Sequence, residues 1–286
     1  MSDRIAAETR MGPVRLLVED LDTMLAFYRD VLALEHIGVD GDSHVLGRGG
    51  VETVTLTPAR GLPRFDRSGA GLFHTAVVFD SEPGLAGAVA RVAKAAPSAY
   101  TGSADHLVSK AFYFTDPEGN GIELYWDRAR SDWSWVHGRV EMSTVSLDPN
   151  AFLGEHLTEA AAGGSTAGDA ASVGHVHLSV GDTASARAFY VGALGFDETA
   201  ALGNQAVFVS AGGYHHHMAM NVWNSRGAGP RMPALGLGRV ELALPDADAL
   251  GALGERLRDH GVSVRDDGRT LAFDDPWANL LQAQIG

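Results

Sequence analysis

Apolar and polar residues alternate at the start of each half of the chain. The apolar positions of this alternation are Val14, Leu16 and Val18 in the first half and Val176, Leu178 and Val180 in the second. A period of two residues is typical of a strand with one buried face. An aspartate and then a Phe-Tyr pair follow each run, a pattern that predicts helices capped by Asp20 and Asp182. Each half therefore opens with a strand followed by a helix.

The chain contains an internal repeat. The segment from Met11, MGPVRLLVEDLDTMLAFYRDVLAL, aligns without a gap with the segment from Val173, VGHVHLSVGDTASARAFYVGALGF. A second, weaker pair begins at Gly71 and Gly236, where a strand again leads into a helix. Gly-punctuated, β-rich stretches come after these helices. The sequence predicts an α+β fold of four β-α-β-β-β units, numbered one to four in chain order.

These units, together with the run DPEGNGIELY that closes unit two, resemble the vicinal oxygen chelate superfamily of glyoxalases, bleomycin resistance proteins and extradiol dioxygenases. The paired layout and the run from Val108 to Tyr125 are similar to the CatE-like catechol 2,3-dioxygenase branch. The resemblance implies two curved half-barrel sheets, each built from two units. It also implies two domains of two units, at 8–130 and 172–286, joined by a linker at 131–171 that is rich in small residues.

Composition narrows the classes of function. A chain of 286 residues suits two domains of ordinary size. It has no cysteine, which excludes disulfides, thiolate metal sites and a cysteine nucleophile. A net charge of −14 with scattered basic residues argues against nucleic acid as a partner, and no apolar run is long enough to span a membrane. We expect a cytoplasmic protein without a membrane or nucleic-acid partner, in which His, Asp or Glu side chains would hold any metal.

Strand alternation indicates which side chains face the concave side of each sheet. Where the apolar set packs on the helices, the intervening residues face away from them. The residues placed on the concave side in this way include His74, Glu123, His175 and, within the strand YHHHMAMNVW, His217. The superfamily resemblance implies metal-ligand positions on the first and last strands of each unit. Units two and three fill these positions with the four residues, whereas units one and four carry no conventional ligand there.

Two pairings of the units fit the sequence. If unit two pairs with unit three, all four candidate ligands share one sheet, and units one and four form a metal-free sheet. If units pair within each half, as in many extradiol dioxygenases, the first half offers only His74 and Glu123 and the second only His175 and His217. The distribution of ligands favours the first pairing. It predicts a metal held by His74, Glu123, His175 and His217.

A second motif precedes Glu123. His106, Tyr113, the DPEGN turn and Glu123 follow the spacing of the extradiol ring-cleavage signature. The resemblance implies that His106 and Tyr113 lie near the bound substrate without ligating the metal. His215, on the same predicted face as His217, is a further candidate catalytic residue.

These residues predict an enzyme that uses a metal and O₂ to open the ring of a catechol-like vicinal diol. Two histidines and one carboxylate suit non-heme Fe(II), with Mn(II), Zn(II) and Ni(II) as alternatives. The expected partners are the small-molecule diol and O₂, and the sequence leaves open a homodimer. Two other functions stay open. One is a glyoxalase-like metal-dependent isomerase or transferase with His217 as a fourth ligand, and the other is a metal-free protein that binds small molecules such as drugs.

Overall fold

The computed structural model describes residues 3–163 and 170–286 and shows an α+β fold dominated by strands. The predicted units follow one another along the chain. Unit one contains β1 Arg10–Val18, α1 Leu21–Ala26, a π-helical turn Phe27–Val31, β2 Glu35–Asp40, β3 Ser43–Arg48 and β4 Val51–Pro58. Unit two contains β5 Gly71–Phe79, α2 Glu82–Ala95, a 3-10 turn Pro97–Ala99, β6 Tyr100–Asp105, β7 Ser109–Thr115 and β8 Gly121–Asp127.

The second half follows the same order after a connecting segment. That segment contains a 3-10 turn Arg130–Asp132, β9 Trp135–Val136, β10 Arg139–Val140, β11 Val145–Ser146, α3 Pro149–His156 and α4 Glu159–Ala162. Unit three contains β12 Ala171–Ser179, α5 Thr183–Arg187, a π-helical turn Ala188–Ala193, β13 Asp197–Leu202, β14 Ala206–Ser210 and β15 Met218–Asn221. Unit four contains β16 Gly236–Leu244, α6 Ala247–Asp259, β17 Arg265–Asp266, β18 Thr270–Asp274 and β19 Leu280–Ile285.

The first strands of the units pair across the two halves of the sequence. Strand β5 lies antiparallel to β12, and β1 lies antiparallel to β16. Within every unit the last strand lies parallel to the first. One curved sheet therefore contains units two and three, and the other contains units one and four, and a single bridge between Ala171 of β12 and Arg48 of β3 joins the two. The observed pairing is the one that gathers the candidate ligands in one sheet, while the domain limits at 8–130, 131–171 and 172–286 stay a prediction.

The alternation seen in the sequence fixes the register of the opening strands. All six residues predicted to face the helices are at most 1% exposed: Val14, Leu16, Val18, Val176, Leu178 and Val180. Burying each such side chain contributes about 1.5–3 kcal/mol, and a slip of one residue would turn the whole set to the concave face. The side chains of Asp20 and Asp182 accept hydrogen bonds from the helix N-termini, as predicted.

In each half of the chain, a buried Tyr-Asp hydrogen bond joins the first unit to the second. The Tyr28 hydroxyl donates to Asp116 at 3.0 Å, and the Tyr190 hydroxyl donates to Asp275 at 2.9 Å. Each aspartate also accepts backbone N–H bonds within its own turn. The Phe-Tyr pair of unit one thus holds unit two, and that of unit three holds unit four. Asp116, which opens the DPEGN turn, therefore has a structural role.

The connecting segment packs along the sheet of units two and three. Strand β11 pairs with β6, and α3 lies against α2. Residues 164–169 of the predicted linker lie outside the described residues. In the two described ranges, no helix has the length and apolar character needed to cross a membrane.

Candidate metal centre

Three side chains of ligand type meet on the concave side of the sheet of units two and three. His74 lies on β5, Glu123 on β8 and His175 on β12. Nε2 of His74 lies 3.0 Å from Oε2 of Glu123, and Nε2 of His175 lies 3.2 Å from the same oxygen. One ligand atom from each of the three lies within 4.8 Å of the others. All three side chains are buried.

Strand register brings these residues together. In the β5–β8 and β5–β12 pairings, Ala76 lies opposite Glu123 on one side and opposite His175 on the other. Residues opposite each other in a sheet project to the same face, and so does His74, two positions before Ala76. Because the side chain between them is only a methyl group, the two imidazoles and the carboxylate can converge.

The protonation states of the group are those that a metal requires. Burial by itself raises the pKa of Glu123, but the neighbouring His175 and His74 rings outweigh it and hold that pKa well below its usual range. Burial lowers the pKa of His175 to about 4. At neutral pH the site therefore holds a carboxylate and a neutral His175, and metals bind these forms.

One buried nitrogen supports the fit to a cation. Nε2 of His74 is buried and has no hydrogen-bond partner among the described residues, although it lies 3.0 Å from Glu123. A buried polar atom without a hydrogen bond is costly and needs an explanation. A metal ion shared with His175 and Glu123 would use the lone pair of this nitrogen.

His106 and Tyr113 form a hydrogen-bonded pair on the wall beside this group. Nδ1 of His106 donates to the carbonyl oxygen of Ser143 at 2.8 Å, and Nε2 lies 2.6 Å from the Tyr113 hydroxyl. Tyr113 lies opposite Glu123 in the β7–β8 pairing, and its ring centre is 5.8 Å from that of His74. Burial, followed by the charge of Glu123, raises the pKa of Tyr113 well above its usual value. Tyr113 is therefore a protonated donor at neutral pH.

The structure places His217 outside this group, which differs from the prediction. Nδ1 of His217 accepts a hydrogen bond from the backbone N–H of Ala211 at 3.1 Å, and the ring packs near Tyr214 and Phe196. The prediction assumed that strand alternation runs through the whole segment YHHHMAMNVW. The strand begins only at Met218, because the chain turns at Gly212 and Gly213 and residues 214–217 are bent or irregular.

His215 also differs from its predicted place. Its side chain is fully buried and does not line the cleft. His216, which alternation assigns to the opposite face, lines the cleft instead, with its ring centre 4.1 Å from that of His175. Two glycines at positive φ, Gly212 and Gly213, precede these residues and are the sequence signal for a turn here.

A cleft of about 700 Å³ opens over the three-residue group. Phe73, His177 and Trp223 form one side of it, with ring centres 4.9 to 5.3 Å apart. Nε2 of His177 accepts a hydrogen bond from the Asn221 amide at 3.0 Å, whose oxygen is fixed by the backbone N–H of Trp223. His177 is therefore held as part of the wall.

Comparison with known proteins gives the family. The model of the glyoxalase/bleomycin resistance protein/dioxygenase superfamily matches residues 10–124 and 172–282. The chain belongs to this superfamily. It is 34% identical over 279 residues to a catechol-2,3-dioxygenase of Bacillus subtilis, covering 95% of both chains. The family that the sequence resembles is thus confirmed.

Solved structures of the superfamily share the fold. A putative dioxygenase from Bacillus subtilis matches with a TM-score of 0.67 at 14% identity, covering 99% of this chain and 86% of that one. Glyoxalase I from Zea mays matches with a TM-score of 0.56 at 15% identity, covering 97% and 92%. Both confirm the predicted vicinal oxygen chelate fold. At these identities the likeness concerns the fold alone.

Proposed function

We propose that the protein is a metal-dependent extradiol dioxygenase that opens the ring of a catechol-like vicinal diol. The observation that carries this proposal is the convergence of His74, His175 and Glu123 beneath an open cleft. Two histidines and one carboxylate on one face leave coordination positions for a diol and O₂. When bound there, Fe(II), or Mn(II) as the alternative, would bring diol and O₂ together and allow electrons to pass between them.

His106 and Tyr113 supply acid–base groups on one flank of the site. A diol must lose protons to chelate a cation, and the products of oxygen attack need a nearby donor. With Nδ1 donating to Ser143, Nε2 of His106 accepts the hydrogen of the Tyr113 hydroxyl, so His106 can take up a proton from the diol through Tyr113. The Tyr113 hydroxyl stays protonated and donates its hydrogen to Nε2 of His106, so its oxygen can accept a hydrogen bond from a hydroxyl of the diol.

On the other flank, His216 faces the same space. Its ring lies beside His175, and its Nδ1 is turned towards His215. Burial lowers the pKa of His216 well below its usual value, which keeps the ring neutral. Nε2 of His216 is then available to the second hydroxyl of the diol.

The dimensions of the cleft favour a diol that carries a second apolar group. Clefts of roughly 300–1,000 Å³ enclose drug-sized ligands, so a single ring fills only part of about 700 Å³. The rings of Trp223 and Phe73 both pack against the ring of His177. The centre of the His177 ring is in turn 4.9 Å from that of His74. A second ring carried by the diol would stack against Phe73, His177 and Trp223.

The two alternatives lack an observation of this kind. A four-ligand, glyoxalase-like site needs His217, which lies outside the group. A metal-free binding cleft does not explain two imidazole nitrogens within 3.2 Å of one buried carboxylate oxygen.

The test is anaerobic purification followed by metal analysis and oxygen uptake with a panel of catechols. We expect one metal per chain and a product that contains both atoms of ¹⁸O₂. Glu123→Gln should lose the metal and the activity together, whereas Glu241→Gln, a buried carboxylate of the other sheet, should keep both. Full oxygen uptake by Glu123→Gln, or after chelation of the metal, would refute the proposal.

A further inference from the structure

A carboxylate behind the site is linked to the cleft by two histidines. Asp127 ends β8, four residues after Glu123. Its Oδ1 lies 2.8 Å from Nε2 of His215, and its Oδ2 accepts a hydrogen bond from the Tyr214 hydroxyl at 2.7 Å. The side chain of Asp127 is 22% exposed, whereas that of His215 is fully buried. The carboxylate therefore lies near the protein surface, and His215 lies between it and His216.

The second link joins the two adjacent rings. Nδ1 of His215 lies 2.7 Å from Nδ1 of His216. This distance is that of a hydrogen bond, so one of the two nitrogens carries a hydrogen and the other a lone pair. His216 in turn lies on the cleft wall beside His175.

The carboxylate determines which nitrogen carries the hydrogen. An ionised carboxylate only accepts hydrogen bonds, so Nε2 of His215 must carry a hydrogen. A neutral His215 then has a lone pair at Nδ1, and Nδ1 of His216 must donate to it. This leaves Nε2 of a neutral His216 with a lone pair.

Two other histidines on the cleft wall already have a hydrogen-bond partner at Nε2. Nε2 of His106 is bonded to Tyr113, and Nε2 of His177 accepts from Asn221. Nε2 of His216 has no such partner among the described residues. A hydroxyl of a ligand would be its donor.

We propose that Asp127 and His215 are positioning residues that hold His216 in the tautomer protonated at Nδ1, so that its Nε2 accepts a hydrogen bond from a hydroxyl of the substrate. The inference rests on the proposed diol substrate for its kinetic consequence. Its structural part concerns only the three side chains and stands without that substrate.

The tautomer can be read directly by ¹⁵N NMR of histidine-labelled protein, in the metal-free and the Zn(II)-loaded forms. We expect Nδ1 of His216 to carry the hydrogen in the unaltered protein, with the signals assigned by their loss in His216→Gln. Asp127→Ala should mix the two tautomers, because His215 loses its anchor. Tyr214→Phe removes the other bond of the same carboxylate, together with the bond between the Tyr214 and Tyr125 hydroxyls, and should keep the tautomer.

Kinetics with a turned-over catechol give the second measurement. Asp127→Ala should lower kcat about tenfold or more with KM changed less than about twofold, as for a group whose hydrogen bond matters most in the transition state. Asp274→Ala, a carboxylate at the end of β18 in the other sheet, is the control and should change neither.

Hydrogen on Nε2 of His216 in the unaltered protein would overturn the inference, even if Asp127→Ala does not fold. An unchanged tautomer and an unchanged kcat in a folded Asp127→Ala variant would also overturn it. Absence of turnover with every catechol in the unaltered protein would instead refute the proposed function, and the NMR result would still decide the tautomer.

Discussion

Replacing His217 by Asn removes a buried titratable ring and tests whether this histidine is structural or a ligand. The Oδ1 of Asn can take the place of Nδ1 as acceptor for the backbone N–H of Ala211. Titration is lost, whereas a polar group remains at the turn. Because His217 lies outside the three-residue group, we expect one metal per chain in the variant, as in the unaltered protein.

The pKa of His217 determines how much this residue makes the free energy of unfolding depend on pH. Burial lowers this pKa from 6.5 to about 3. The unfolded chain therefore binds the proton first as pH falls. The contribution of the neutral His217 to the free energy of unfolding is complete above about pH 6.5 and is lost progressively down to about pH 3. At 1.36 kcal/mol per pKa unit, the loss reaches about 5 kcal/mol at the lower limit and about 2 kcal/mol at pH 5.

Urea unfolding of metal-free protein at pH 7.5 and pH 5.0 measures the loss. Between these two values the unaltered protein should lose about 2 kcal/mol more than His217→Asn, since the other buried histidines contribute equally to both. Equal losses would show that His217 does not titrate as its burial implies. Loss of the metal from the variant would show that His217 is a ligand after all.

Three further changes test the site and the fold. Tyr113→Phe should keep the metal and lower kcat with a catechol about 100-fold, as for loss of an acid–base group, and unchanged turnover would remove Tyr113 from the mechanism. Trp223→Ala should raise KM for an aryl-substituted catechol about tenfold or more and leave KM for catechol itself nearly unchanged, whereas Trp135→Ala, away from the cleft, should do neither. Equal effects on both substrates would refute the proposal that an aryl substituent stacks on Trp223. Tyr190→Phe should lower the free energy of unfolding by about 1–3 kcal/mol, because Asp275 loses a buried donor, and a loss below about 0.5 kcal/mol would contradict that role.

Local sequence patterns were sufficient to predict the units and their register. Alternation at Val14 and Val176 identifies the buried face of two strands, because each strand has one side against helices and one side against the concave space. The repeat shows that the same unit recurs, and the distribution of ligands selects the pairing of units two and three. These signals depend on short spacings that the chain itself displays.

The segment before β15 could not be predicted in this way. Strand alternation holds only while the backbone stays extended, and Gly212 and Gly213 turn it. The assignments of His215 and His217 to the concave face therefore fail, and His216 takes the place beside the ligands. Which of three adjacent histidines reaches a cleft depends on one or two dihedral angles. No periodic pattern in the sequence predicts those backbone angles.

The sheet of units one and four has the same architecture with different side chains. Arg15 on β1 lies opposite Arg239 on β16, in the place where His177 lies opposite His74 in the other sheet. Gln282 occupies the register position on β19 that corresponds to Glu123 on β8. The backbone thus offers two equivalent concave faces.

Side chains alone decide what each face can bind. A guanidinium has no lone pair to give to a cation, and Arg239 uses its donors on Glu241 at 2.6 and 2.7 Å. Arg15 is likewise engaged with Asp40 and Ser43. These ion pairs satisfy their own charges. Among the residues that the structure describes, this face therefore has neither the unpaired imidazole nitrogen nor the shared carboxylate oxygen found beside His74. The fold therefore explains where a metal site can form, and the residues at a few register positions explain why it forms in only one of the two sheets.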